Sequence, residues 1–262
     1  MSLNIKNLRI SLTSGRSVTE DISFRIGKGE MLSIVGSSGA GKTTVCKAIM
    51  GLLGADFKAE GNILYDNTEL LNIPKKNLRR IYGKEICFIM QNPMTAFNPS
   101  IRIGRQMEKT YLRHNTALSK AEITKKCEAA LQNLGLTDTK RILKSYPFTL
   151  SGGMLQRVMI ATALINEPQV LIADEVTTAI DACNRIELMK MLGNLCKKGM
   201  SVLFITHDLR AAANADKILI MNQGKVVESG RTEDILHSPK EEYTKELLNA
   251  CCLERRRIDD SA

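Results

Sequence analysis

The chain has 262 residues, of which 44% are hydrophobic and 25% charged, the proportions of an ordinary globular protein, which exclude a fibre or a disordered chain. Lys and Arg total 37 against 28 Asp and Glu, a net charge of +9. That excess suits a nucleotide, a nucleic acid or an anionic membrane surface as partner.

Taken in chain order, Asn4 to Leu12 alternates apolar with polar residues, as does Ile22 to Ile26, the pattern of half-buried strands. Met31 to Val35 is apolar without alternation, as in a strand buried on both faces, and runs straight into a glycine-rich loop. Thr43 to Leu53 has helical spacing, and Asn62 to Tyr65 and Glu85 to Met90 are further strand candidates. From Asn92 to about Asn166 the signals are helical. Ser119 to Gly135 opens on a capping box of Ser119 and Glu122 and closes on its glycine. Ser151 to Asn166 sets Leu155, Val158, Met159 and Thr162 on one face behind Ser151 as N-cap. Buried strands return at Gln169 to Ala173 and Val202 to Thr206, with a helix from Arg185 to Lys198 between them. Lys217 to Met221 and Lys225 to Glu228 flank Asn222-Gln223-Gly224, a hairpin turn. The tail from Pro239 reads as helix. Buried strands separated by helices make the class α/β with a parallel sheet. The helical stretch is an insertion, and the N-terminal strands with the late hairpin are expected to form a smaller antiparallel part.

No apolar run reaches the ~20 residues of a membrane span, and MSLNIKNLRI at the start lacks the apolar core of a signal peptide. Seven Cys occur with no CxxC pair and no Cys/His cluster, which reads as reduced thiols. The expectation is a soluble intracellular protein, any membrane part being supplied by a partner.

Three motifs carry chemistry. Gly36-Ser37-Ser38-Gly39-Ala40-Gly41-Lys42-Thr43 matches GxxxxGK[ST], between a buried strand and a helix as that motif requires. Its glycines let consecutive backbone N–H groups converge on one phosphate, and the helix start adds a positive dipole end. Lys42 would reach the β- and γ-phosphates and the Thr43 hydroxyl would bind Mg²⁺. Second, Val170 to Ala173 ends in Asp174 and Glu175, at the strand edge where sheet ligands sit. Asp174 would hold Mg²⁺ through water and Glu175 would polarise the attacking water. Acids at a strand end are common and often merely solvated; the phosphate loop upstream gives this pair its meaning. Third, Leu150-Ser151-Gly152-Gly153 caps a helix whose first N–H groups face outward, a second anion site. On its own this is an ordinary capped helix. Two such helix ends on different elements suggest two chains sharing each nucleotide.

In this order the phosphate loop, the LSGG helix and the Asp-Glu strand end resemble the ATP-binding subunits of ABC transporters, over about Leu3 to Leu248. The resemblance implies a P-loop NTPase fold: a RecA-like parallel sheet core, an antiparallel β subdomain and an inserted α-helical subdomain. The expected division is a single ABC ATPase domain. Residues 1–91 and 167–236 form the nucleotide-binding core, 92–166 the helical subdomain and 237–262 a helical tail. It also implies further site residues: Thr44 beside the phosphates, Gln91 as the Q-loop ligand of Mg²⁺ and water, Asp181 as the D-loop aspartate, and His207 as the switch histidine at the γ-phosphate. Ser151, Gly152 and Gly153 would contact a nucleotide held by another subunit.

Gln91 to Pro99 and His237 to Leu248 look like the peptide/nickel importer group. Leu143 to Arg157, with Met154 where most such families have Gln, looks most like the nickel-import ATPases, as does an ending soon after Leu248. The implied function is ATP hydrolysis coupled to import of nickel or a related metal or metallophore, with di- or oligopeptide import as the alternative. The implied cofactors are ATP and Mg²⁺. The implied partners are two membrane-spanning permease subunits, a second ATP-binding subunit, usually a different chain in this group though a homodimer is open, and indirectly an extracytoplasmic substrate-binding protein. The implied location is the cytoplasmic face of the membrane, as a peripheral subunit. A nucleic-acid-associated ABC ATPase is a weaker rival: the charge favours it, but one cassette and the absence of a basic-aromatic patch do not, so no nucleic acid is expected. Two departures stand out. Val176 replaces the family's Pro after Glu175, and Leu12 stands where an aromatic often stacks on adenine. Cys251 and Cys252, adjacent and without ligand partners, read as tail thiols.

Overall fold

The computed structural model describes residues 2–115, 118–177 and 182–259. In chain order its elements are β1 (Leu3–Leu12), β2 (Ser17–Ile26), β3 (Met31–Val35), α1 (Lys42–Ile49), β4 (Phe57–Tyr65), β5 (Thr68–Glu69), α2 (Lys75–Leu78), β6 (Ile86–Ile89), α3 (Pro93–Ala96), α4 (Ile103–Leu112), α5 (Lys120–Gln132) and α6 (Thr139–Lys144). After a short 3₁₀ turn come α7 (Gly152–Leu164), β7 (Val170–Asp174), α8 (Ala182–Lys197), β8 (Ser201–Thr206), α9 (Leu209–Ala212), β9 (Lys217–Asn222), β10 (Lys225–Arg231), α10 (Thr232–His237) and α11 (Glu242–Asp259). The chain divides into two compact units, Met1–Ile73 with Leu192–Ala262, and Pro74–Met191.

The first unit holds an antiparallel sheet in the order β2-β1-β4-β5. Leu3, Ile5, Leu8, Ile10, Ile22 and Ile63 form its buried face. Ile5 and Leu8 are three residues apart, off the two-residue beat of a strand. The β1–β2 register shifts between them, and Asn7 there takes φ 50°, so a local irregularity returns Leu8 to the core face. In the same unit β3 runs parallel to both β8 and β9, and β10 folds back antiparallel on β9. Every residue of β3 and β8 is buried, which accounts for their unbroken apolar sequences.

Two expectations change here. The hairpin belongs to the parallel system, not to the antiparallel strands: β9 pairs with β3, because Ile218 to Met221 are all buried and need cover on both faces. Its turn does reach β2, where the Glu20 N–H donates to the Gly224 carbonyl at 2.8 Å. The helix after the phosphate loop ends at Ile49, not Leu53. Gly51 takes φ 61°, and the amides of Gly51 and Leu52 turn back to the carbonyls of Ala48 and Lys47, a glycine-terminated helix end.

In the second unit β6 and β7 pair in parallel, Ile86 opposite Val170 through Ile89 opposite Ala173. The helix α5 packs against both α4 and α7, and Met107, Tyr111, Ile123, Cys127, Leu131, Leu155 and Val158 of these helices are buried. The capping box at Ser119 and Glu122 forms as expected. Among the described residues no helix is long and apolar enough to cross a membrane.

Candidate nucleotide site

In the first unit β3 delivers the chain into the loop Gly36 to Gly41. A Cβ at Gly36 would collide with the Met221 carbonyl oxygen of β9, so only glycine lets the two backbones approach. The loop then curls: the Ala40 amide bonds the Ser37 carbonyl at 3.2 Å, and Val45 makes the first helical bond to Gly41 at 3.0 Å. Lys42 is only 4% exposed. Its Nζ donates to the Gly36 and Ser37 carbonyls at 2.8 and 2.9 Å, so the ammonium is held by the backbone of its own loop. Ser37, Ser38 and Gly39 are exposed, and Thr43 and Thr44 are half-buried behind them. The first turn of α1 contains no acidic residue. A curled loop, a positive helix end and a held cation make an anion receptor.

His207 is exposed directly after β8. The next residue fixes the turn that carries it. The Asp208 amide bonds Thr206 Oγ1 at 3.0 Å, and its carboxylate caps α9 by accepting from the Arg210 amide at 2.8 Å.

In the second unit the parallel register of β6 and β7 sets their C-terminal ends side by side, and there Gln91 Nε2 donates to Glu175 Oε2 at 3.0 Å. Asp174 closes β7 and is 5% exposed. Glu175 has φ 48°, a left-handed conformation that costs a non-glycine residue roughly 1–3 kcal/mol and persists where surroundings hold it. Gln156 of α7 supplies that hold, its side-chain amide donating to the Val176 carbonyl. Sequence reasoning missed Gln156. Its signal was present in LSGGMLQR, but a Gln inside a helix does not announce a partner across space. Burial raises the Cys87 thiol of β6 to about 12, which keeps it protonated and unreactive beside this edge.

The third motif stands at the start of α7. Ser151 Oγ accepts from the Met154 amide at 3.3 Å, and Ser151 and Gly152 are exposed. A recess of about 330 Å³ adjoins them, lined by Arg141, Gly153, Met154, Arg157 and Asn184 among others. Arg157 braces α7 on α8, donating to Asn184 Oδ1 and Glu187 Oε2, both at 2.7 Å. Asp181 lies outside the described residues.

The ABC transporter family model matches residues 19–178. Over 261 residues the chain is 39% identical to the metal-staphylopine import system ATP-binding protein CntD of Staphylococcus aureus, covering 98% of this chain and 94% of that protein. It is 41% identical over 256 residues to the dipeptide transport ATP-binding protein DppD of Bacillus subtilis, covering 95% and 76%. The dimeric ATP-binding cassette MJ0796, solved in a post-hydrolysis state with ADP and Pi, superposes with a TM-score of 0.79 at 28% identity, over 88% of this chain and 98% of that one. The chain therefore belongs to the ABC transporter family, with the α/β fold of a P-loop NTPase. Within that family it is an importer ATP-binding subunit, a nucleotide-binding ATP hydrolase. Such a subunit implies membrane permease partners and a dimeric ATPase.

Proposed function

We propose that this subunit drives import of nickel or a related transition metal or metallophore. The observation that carries this reading is the 39% identity, over 98% of the chain, to a metal-staphylopine import ATPase; Met154 in the LSGG helix agrees with it. Peptide import is the second reading, favoured by the 41% identity to a dipeptide importer ATPase. Uptake of radiolabelled nickel and of labelled dipeptide, in cells with and without the gene, separates the two.

In the proposed mechanism the phosphate loop from Gly36 to Thr43, with Thr44, cradles the phosphates, and Lys42 neutralises the β/γ oxygens. Ser151, Gly152 and Gly153 of one subunit close on the nucleotide of another, with Asp181 at the junction, most simply in a heterodimer with a second ATP-binding chain. Glu175 takes the proton of the attacking water, Gln91 orients that water, and His207 contacts the γ-phosphate. Thr43, Gln91 and Asp174 offer hydroxyl, amide and carboxylate oxygens, the hard donors that suit Mg²⁺. When bound, Mg²⁺ supplies charge neutralisation between the phosphates. The subunit sits peripherally on the cytoplasmic face, gripping the permeases near Gln91 to Asn98, and meets the substrate-binding protein only through them. The division into a nucleotide-binding core, a helical subdomain at 92–166 and a tail from 237 is part of the same reading.

Glu175→Gln tests it. The swap keeps size and hydrogen bonding but removes the base, so hydrolysis should fall by ~10² to 10⁴ while MgATP still binds. Size-exclusion chromatography with MgATP should then show a trapped ATP-bound dimer, with the second ATPase if that is the natural partner. Wild-type hydrolysis and no ATP-dependent dimer, with or without that partner, would overturn the assignment.

A further inference from the structure

The C-terminal helix α11 reaches the phosphate loop. The Tyr243 hydroxyl accepts a hydrogen bond from the Ser37 amide at 3.2 Å, across 206 residues of sequence. That amide belongs to the peptide unit whose carbonyl is Gly36 O, and Gly36 O accepts from Lys42 Nζ at 2.8 Å. A peptide unit is planar and turns as one body. Tyr243 therefore holds from one side the same plate that Lys42 holds from the other.

The tyrosine is itself well anchored. Its ring, with Leu247 and Leu248, packs on the cluster of Val35, Leu209, Ile218, Ile220 and Ile235. Val35 is the last residue before the loop and Leu209 opens α9, immediately beyond His207 and Asp208. Thr244, next to Tyr243, is fully buried. The segment entering α11 is pinned by Glu228 of β10, whose carboxylate accepts from the amides of Lys240 at 2.9 Å and Glu241 at 3.2 Å. Burial works to raise the Glu228 carboxyl, but the Thr244 hydroxyl, those two amides and the Lys240 ammonium outweigh it and keep the carboxyl below its ordinary range. The hydroxyl is thus presented to the loop from a fixed base.

We propose that Tyr243 is a positioning residue for nucleotide binding: through the Ser37 amide it holds the Gly36–Ser37 peptide in the orientation that keeps Lys42 ready for phosphate. α11 then couples the C-terminal part of the chain to ATP affinity. The inference rests on the phosphate-loop reading of the proposed function. It concerns a helix outside the phosphate loop itself.

Tyr243→Phe removes the hydroxyl and keeps the ring. A neutral hydrogen bond is a modest contribution to binding energy, so the full chain should bind MgATP about fivefold more weakly. In the transporter reconstituted with its permeases, the KM for ATP should rise by a similar factor while kcat changes less than twofold. The nucleotide-free melting temperature should stay put while the upward shift caused by MgATP shrinks. A purely structural tyrosine would do the reverse. Unchanged Kd and KM, or a lowered nucleotide-free melting temperature with unchanged Kd, overturns the proposal. Lys42→Ala, run alongside, separates the two levels. If it loses MgATP binding while Tyr243→Phe binds like wild type, only the role of Tyr243 falls. If Lys42→Ala also binds like wild type, the phosphate-site reading falls with it.

Discussion

Two helix starts in this molecule are made of similar small residues and differ in how far their surroundings complete them. At α1 the loop is closed by its own backbone, Lys42 is buried across it, and Gly36 is wedged against β9. At α7 the Ser151 cap is formed, yet Ser151 and Gly152 stand exposed beside an open recess, and a Cβ at Gly152 would meet nothing within 4 Å. The first is a receptor assembled within one chain. The second offers helix amides to whatever approaches from outside, as expected if a nucleotide held by another subunit completes it.

The sharpest way to break this contrast is to add the same methyl group to both. Gly36→Ala must displace the β9 backbone or the loop, so MgATP affinity should drop by more than ~100-fold, about 2.7 kcal/mol. Gly152→Ala should leave the MgATP affinity of the isolated chain within about twofold. Equal losses, measured by calorimetry, would mean that the α7 start is not an open site.

Gln156→Leu tests what holds the edge of the second unit. It leaves the buried Val176 carbonyl without its donor, a cost of roughly 1–3 kcal/mol, and frees a turn that keeps Glu175 at φ 48°. Stability and ATPase rate should both fall, the rate by about tenfold. A stability loss with a wild-type rate would show that Glu175 holds its place without Gln156.

Nucleobase choice probes the first unit at Leu12. Without an aromatic there, ATP and GTP should bind within about tenfold of each other, ~1.4 kcal/mol. The structure sharpens this prediction: Phe57 of β4 is the cross-strand partner of Leu12. A larger preference that disappears in Phe57→Ala would make Phe57 the base contact.

The smallest effect is expected at His114 in the second unit. Its pKa is lowered from 6.5 by burial first, then by Arg113 and Lys84. A histidine depressed in the folded state binds protons more readily when unfolded, so its contribution to stability is intact above pH 6.5 and is lost as pH falls from there toward the folded pKa. Urea melts from pH 7.5 to 5.5 should show that slope, flattened in His114→Asn; an unchanged slope would assign it to other groups.

Much of this was legible in the residue string because it depends on short-range chemistry. Gly36 to Thr43 demands a strand before and a helix after; Ser119 with Glu122, and Ser151, are caps satisfied within one turn; the unbroken apolar runs of β3 and β8 signal burial on both faces. Each of these is decided by neighbours a few positions away, and each formed. Only the tertiary structure decided the long-range pairings. It put β9 beside β3 instead of among the antiparallel strands, set Phe57 opposite Leu12, brought Gln91 to Glu175 through the parallel register of β6 and β7, and hung the Glu175 turn on Gln156. It also carried Tyr243 to the amide of Ser37. A hydrogen bond needs its donor and acceptor about 3 Å apart, and for residues 206 positions apart no local pattern encodes that distance: the packing of α11 on the core beneath β3 does.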